Sequence, residues 1–307
     1  MSIPEKSTTL PTLARPSFIS SFVLAWLSIL ITLCLAEGVL HLVNYPKQSW
    51  SPWIEDPHTG FRYAPLLNQR MVTEEYDVSI QTNEAGFRDD PVGPKNGKRI
   101  LLLGDSFTFG YGVDRPHLFA DLLEKALNVD ILNAATGGFD LIHQVQWMKY
   151  YGSEYHPNLV VYMLYLGNDL VGNWKWKKES ENLKASHRPT VRSHRDIKLL
   201  TLFKILRQRL TFYNPTIQKW RPPDEYLALT ANELSPEALK DYETSKILFA
   251  ELAEEIKKIE TPFLVVLVPY KTLVQTSDRE ALKNIINDFH AGYNLDRPGN
   301  EVSGWLK

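Results

Sequence analysis

The sequence predicts an α/β protein: a parallel sheet covered by helices on both faces, three layers in all, behind an N-terminal transmembrane helix. Three observations carry this. Ile100–Leu103, Leu159–Leu166 (LVVYMLYL) and Pro262–Val268 (PFLVVLV) are unbroken apolar runs, the pattern of strands buried on both faces. Segments with helical periodicity lie between and after them. Phe18 to Ala36 carries no charge and is long enough to cross a bilayer as a helix.

Composition sets outer bounds. A chain of 307 residues that is 44% hydrophobic and 23% charged can bury one sizeable core with appendages. A net charge of −2 gives no overall pull toward nucleic acid, and none is expected as a partner. The one cysteine, Cys34, rules out an internal disulfide and a cysteine-based metal site, and it reads as a small hydrophobe. No metal constellation or phosphate-cradling loop is legible (Gly110-Tyr-Gly112 is too short a pattern), so no cofactor is expected.

Taken in order, Met1–Pro16 reads as a short polar tail and residues 17–43 as a membrane anchor. A cleaved signal peptide competes with the anchor. The apolar run is long for a signal core, however, and no small-x-small site clearly ends it. Lys6 and Arg15 precede the span and Glu37 follows it, so the positive-inside rule keeps the N-terminus cytoplasmic and places the rest on the extracytoplasmic side. Residues 44–98 form a lead-in rich in aromatics and turn residues. Within it Tyr76–Thr82 alternates like a strand, Gly86-Phe87-Arg88 reads as a turn, and the tryptophans either sit at the membrane interface or pack on the domain. The main domain is residues 99–307. It runs through strand Ile100–Leu103, a loop, helix Pro116–Asn128, strand Asp130–Asn133, helix Phe139–Tyr151 and strand Leu159–Leu166. A helix then starts at Ser235-Pro236 and runs to about Glu260, followed by strand Pro262–Val268 and helical patterns at Ser277–His290 and from Leu295 on.

Residues 171–221 break the composition, with thirteen Lys/Arg against three Asp/Glu. They include Trp174-Lys-Trp-Lys-Lys178 and the amphipathic run Ile197–Leu210. Three readings stand: a lid over the site facing an anionic substrate, a segment lying on an anionic membrane surface, or an ordinary charged surface helix.

The chemistry is concentrated where strands end. Gly104-Asp105-Ser106, Asn133…Gly138 and Gly167-Asn168-Asp169 each follow a predicted strand, and in a parallel sheet those carboxyl ends converge on one crevice. A hydroxyl, a glycine N–H and a side-chain amide in one crevice is the set that acyl transfer needs. An ordinary β–α turn remains the alternative for each triplet alone. In order and spacing the three blocks resemble those of the SGNH (GDSL-like) hydrolase family, whose fold is a flavodoxin-like three-layer sheet. The resemblance covers residues from about Arg99 onward. It implies Ser106 as nucleophile, its own N–H, Gly138 N–H (Gly137 as alternative) and the Asn168 amide as oxyanion donors, and Asp105 as support of the turn. The lead-in is similar to that of membrane-anchored members.

The family's catalytic Asp-x-x-His follows the third block near the C-terminus. Here Asp140-Leu-Ile-His143 has the spacing but lies on the helix behind Gly138, where Asp140 reads as a helix cap and His143 as a surface or packing residue. Asp288-Phe-His290 has the wrong spacing. The expectation is therefore a chain truncated before its Asp/His block, with a natural pseudo-enzyme as the rival; as written, it is expected to show little or no esterase activity. For the full-length protein the resemblance implies a serine esterase or O-acyltransferase acting on an ester-bearing small molecule or polysaccharide, acyl esters of envelope carbohydrate above all. An inactive binding or scaffold module is the alternative.

Overall fold

The computed structural model of this chain describes residues 18–43, 52–72, 76–95, 97–182, 198–200, 202–203, 228–275, 277 and 293–306. Two compact units emerge, Met1–Pro46 with Arg195–Gln208, and Lys47–His194 with Arg209–Lys307.

In the first unit α1 (Phe18–Leu42) is a helix long and apolar enough to cross a membrane. None of its most apolar window is buried. Ser28 and Thr32 hide their hydroxyls by donating to the Ala25 and Ser28 carbonyls of their own helix.

In the second unit the central sheet is formed by β5 (Arg99–Gly104), β6 (Asp130–Asn133), β7 (Leu159–Tyr165) and β8 (Phe263–Val268), all parallel, in the order β6-β5-β7-β8. Side chains alternate between its faces. Leu101, Leu103, Val160, Tyr162 and Leu164 point to one face and pack with α4 (Leu141–Tyr150) and α6 (Pro236–Lys257), which contribute Val145, Met148, Leu248, Leu252 and Ile256. Leu102, Ile131 and Val161 point to the other, against Ala120 of α3 (Phe119–Leu127). Leu101, Leu103 and Leu164 are wholly buried, each worth about 1.5–3 kcal/mol of transfer free energy. These are the three layers expected. Ser235 caps α6 by accepting from Ala238 N–H, with Pro236 at the first position, as the sequence signals. The remaining described elements are a one-turn helix α2 (Ser106–Phe109), α5 (Asn173–Asn182), α7 (Lys271–Val274) and α8 (Arg297–Trp305).

Two expectations need correction. The segment after Ser106 begins with α2 in place of a loop, because Asp105 caps it. The expected helix Pro116–Asn128 is divided: Arg115–His117 form a 3-10 turn, and α3 starts only at Phe119. Asn128, with φ of 52°, stops α3 in the left-handed region. The patterns at Ser277–His290 and Ile197–Leu210 lie mostly outside the described residues.

The lead-in contains more structure than its alternating stretch suggests. β1 (Trp53–Asp56) pairs with β2 (Gly60–Tyr63), and β3 (Asn68–Val72) with β4 (Asp77–Gln81), both antiparallel. Asp56 closes the first hairpin by accepting the His58 and Thr59 N–H groups, and its other oxygen accepts the Tyr151 hydroxyl at 2.7 Å, which fastens the hairpin to the end of α4. Tyr63, Leu67, Met71, Val78 and Ile80 form a second small core with Phe109 of α2 and Ala135 of the loop after β6.

Candidate active site

β5 carries Gly104, Asp105 and Ser106 to the carboxyl edge of the sheet. The Asp105 carboxylate accepts the Phe107 N–H at 2.9 Å and makes Ser106 the first residue of α2. A backbone N–H at that position has no acceptor within its own helix, so it can face a ligand. The turn admits only glycine at 104, where a Cβ would lie 2.1 Å from Thr108 Oγ1. Phe107 leans across to stack on Tyr165 at the end of β7, with 4.0 Å between centroids.

The loop after β6 forms the second wall. Thr136 N–H and the Gln144 side-chain amide both donate to the Gly104 carbonyl, at 3.1 and 3.0 Å. Gly137 N–H donates to the Tyr63 hydroxyl at 3.1 Å, and a Cβ at 137 would fall 2.3 Å from Tyr111 Oη. Gly138 is exposed with φ of +89°, and among the described residues its N–H has no acceptor. Of the two glycines, Gly138 is thus the one left to meet a ligand.

The third wall is Gly167-Asn168-Asp169. Asn168 is half-buried, and among the described residues its Oδ1 is buried without a partner. Asp169 fixes the loop: its Oδ2 accepts Tyr165 N–H and the Tyr162 hydroxyl, and its backbone carbonyl accepts Leu141 N–H at the start of α4. Asn173, the first residue of α5, donates to that same carbonyl and accepts Ile142 N–H. The loops after β5, β6 and β7 are therefore cross-tied at the carboxyl edge of the sheet, and each brings one of the residues that the sequence singles out.

Three carboxyl groups at these strand ends and at the start of α4, Asp105, Asp140 and Asp169, are raised above the ordinary carboxylate range. Burial raises Asp105 to about 6 against the N–H of Phe107, which favours the ionised form. Burial, then the charge of Asp105, raises Asp140 to about 8. Asp169 is raised well above the ordinary value by burial and then by Asp105. Burial also lifts Asp89 to about 7. A carboxyl whose folded pKa lies above its unfolded value holds a proton that the unfolded chain has lost. Its contribution to stability is therefore full below the unfolded value and is lost as pH rises through the folded one. Thermal unfolding is expected to move to lower temperature between pH 5 and pH 8, with a slope of up to about 1.4 kcal/mol per pH unit for each such group. Asp140→Asn should flatten that slope; a melting temperature that rises over this range would refute the assignment.

Asp140 and His143 are not arranged as an acid–base pair facing Ser106. The His143 ring is buried, its Nδ1 accepts the Asp140 backbone N–H at 3.0 Å, and it stacks on Phe139 with Trp176 at its edge. Burial lowers its pKa to about 4. Of the two roles open to His143 in the sequence, packing is the one observed. Asp288 and His290 lie outside the described residues.

Sequence reasoning missed Tyr63 and Tyr111. Their hydroxyls pair at 2.8 Å, and Tyr63, stacked on Phe109, holds the Gly137 N–H from a position 74 residues away. The only signal in the sequence is the aromatic richness of the lead-in. Tyr63→Phe strands a buried donor at about 1–3 kcal/mol, and the freed loop should slow phosphonylation of Ser106 roughly tenfold. Stopped-flow labelling beside a melting curve checks both; an unchanged labelling rate would remove Tyr63 from the site.

The family model described as GDSL-like Lipase/Acylhydrolase matches residues 100–291, which is well over half of the chain. Solved structures similar to this chain include AlinE4, an SGNH-hydrolase family esterase, at 19% identity over 70% of this chain and 100% of that one, with a TM-score of 0.27. A mutant of AlinE4 matches at 18% identity over 64% and 75%, with a TM-score of 0.32. Axe2, an acetylxylan esterase from Geobacillus stearothermophilus, matches at 17% identity over 62% and 81%, with a TM-score of 0.25. Among curated proteins the chain has no match. With Gly104-Asp105-Ser106 at the head of a matched segment that reaches residue 291, the chain belongs to the GDSL-like lipase/acylhydrolase family.

Proposed function

We propose that this protein is a serine acyl-ester hydrolase or O-acyltransferase with Ser106 as nucleophile, acting on acyl (acetyl) esters of envelope carbohydrate. The observation that carries the reading is the cross-tied carboxyl edge of the sheet. Ser106 heads α2 there, and the loops tied to that turn carry Gly138, whose N–H has no acceptor among the described residues, and Asn168. In this mechanism Ser106 Oγ attacks the ester carbonyl carbon and gives up its proton to a general base, which returns it to the departing alcohol. The negative charge then moves to the carbonyl oxygen, where the N–H groups of Ser106 and Gly138 and the Asn168 amide stabilise it. Collapse expels the alcohol and leaves an acyl-serine. Water resolves it in a hydrolase, a second alcohol in a transferase. Asp105 supports the turn by capping α2.

Placement supports the proposed substrate class. A domain carried by an anchor of the α1 type, with Lys6 and Arg15 on its cytoplasmic side, meets extracytoplasmic polysaccharide. Treatment of the full-length protein with a fluorophosphonate, followed by peptide mass spectrometry, tests the nucleophile. The expected result is one adduct, on Ser106. An adduct elsewhere, or none, would overturn the enzyme reading and favour an inactive binding module.

A further inference from the structure

We infer that the helical residues 198–200 and 202–203 lie on the membrane surface, fixed at the level where α1 leaves the bilayer, with anionic lipid headgroups as their partner. The inference rests on reading α1 as a membrane span. The uncharged stretch Phe18–Ala36 extends about 28 Å as a helix, close to the hydrocarbon thickness of a bilayer. Glu37, the next residue, therefore stands at the boundary between acyl chains and headgroups. Its carboxylate is committed: Oε1 accepts Lys198 N–H at 2.7 Å and lies 3.0 Å from His41 Nε2 of its own helix, and Oε2 accepts Leu199 N–H at 2.8 Å. A residue 161 positions away in the chain thus receives the N–H groups that open the segment, and Met1–Pro46 and Arg195–Gln208 belong to one compact unit.

That tie sets depth. A carboxylate at the boundary is costly unless it is hydrogen-bonded, and these two N–H donors supply the bonds. Residues held to it must lie at the same level as it does. Leu200 and Phe203 are three apart, so they share a face, and they are 56% and 64% exposed. Exposed Leu and Phe at the acyl boundary are covered by lipid. The sequence around them, Arg195 to Arg209, holds Arg195, Lys198, Lys204, Arg207 and Arg209 against Asp196 alone. Apolar residues interleaved with such an excess of cations match a surface of acyl chains topped by anionic phosphates.

Nitroxide labels on the full-length protein in nanodiscs test this, in a Cys34→Ala background that removes the one native cysteine. Labels go in turn at Phe203→Cys, at Leu200→Cys and, as a report on the anchor, at Leu30→Cys. Discs are made of phosphatidylcholine alone or with phosphatidylglycerol, and collision rates with oxygen and with a water-soluble nickel chelate are compared. Oxygen-dominated relaxation at 203 and 200, stronger with phosphatidylglycerol and converted to nickel-dominated by Glu37→Ala, is expected. Nickel access at 203 and 200 with lipid burial at 30 overturns the surface segment and leaves the anchor standing. Nickel access at 30 overturns the anchor and the inference together. Protection from both reagents at 203 and 200 would mean protein covers that face, and equal immersion in both lipids would remove the anionic partner; either result overturns the proposal.

Discussion

Alanine at Ser106 is expected to abolish both ester cleavage and fluorophosphonate labelling, and alanine at Asn168 to slow both by about 10²–10³-fold, or about 2.7–4 kcal/mol of transition-state stabilisation. The two substitutions act at different points. Under the proposed mechanism, Ser106→Ala removes the atom that forms the covalent bond. Asn168→Ala leaves that atom in place and removes one donor to the charge that develops on the substrate oxygen. The amide is needed only while that oxygen is negative, so kcat and kcat/KM should fall together with KM little changed. Stability separates this from a structural role. Among the described residues Asn168 Oδ1 is buried and unpartnered, so truncation removes an unsatisfied acceptor, and the melting temperature should hold or rise. A variant that melts early yet labels at the normal rate would show that Asn168 shapes the loop without serving the chemistry.

How much of this was legible in the sequence depended on how locally each feature is encoded. β5, β7 and β8 announce themselves because a strand buried on both faces must be apolar throughout, and Ser235-Pro236 announces α6 because cap and first turn are adjacent. Gly104-Asp105-Ser106 is legible for the same reason: turn, cap and hydroxyl are consecutive. α2 is four residues long, too short for any periodicity to register. The lead-in fails differently. Its strands run four or five residues each, and what they do depends on distant partners. Nothing near Tyr63 says that it will hold Gly137, and nothing near Glu37 says that it will receive Lys198. Asp140 and His143 show the converse hazard, since the spacing of a catalytic pair arose there from a helix start whose histidine ring bonds back to the Asp140 N–H.

Arg88→Met should cost the protein about 3–5 kcal/mol and lower its melting temperature by roughly 10 °C, the largest loss of stability expected from one substitution in the lead-in. Arg88 is wholly buried, and its guanidinium donates to four carbonyls: Phe109, Gly110, Ser79 and Val113. Burial lowers its pKa to about 10, offset by the charges of Asp114 and Asp121, so it remains a cation at neutral pH. Three of the four carbonyls belong to the chain just after the Ser106 turn, and the fourth to β4. One side chain therefore fastens the lead-in to the segment that follows Ser106. Methionine fills most of the volume and leaves the four acceptors without donors. Lysine keeps the charge but not the planar fork, and should recover only part of the loss. Urea unfolding of the two variants beside the wild type gives the ordering. If Arg88→Met unfolds within about 1 kcal/mol of wild type, the guanidinium is dispensable and the lead-in rests on its hairpin core alone. If the ordering holds and Ser106 labelling slows with it, the lead-in is part of the machinery that positions the nucleophile, and a protein cut to the segment that resembles other hydrolases would lose the support its active-site turn depends on.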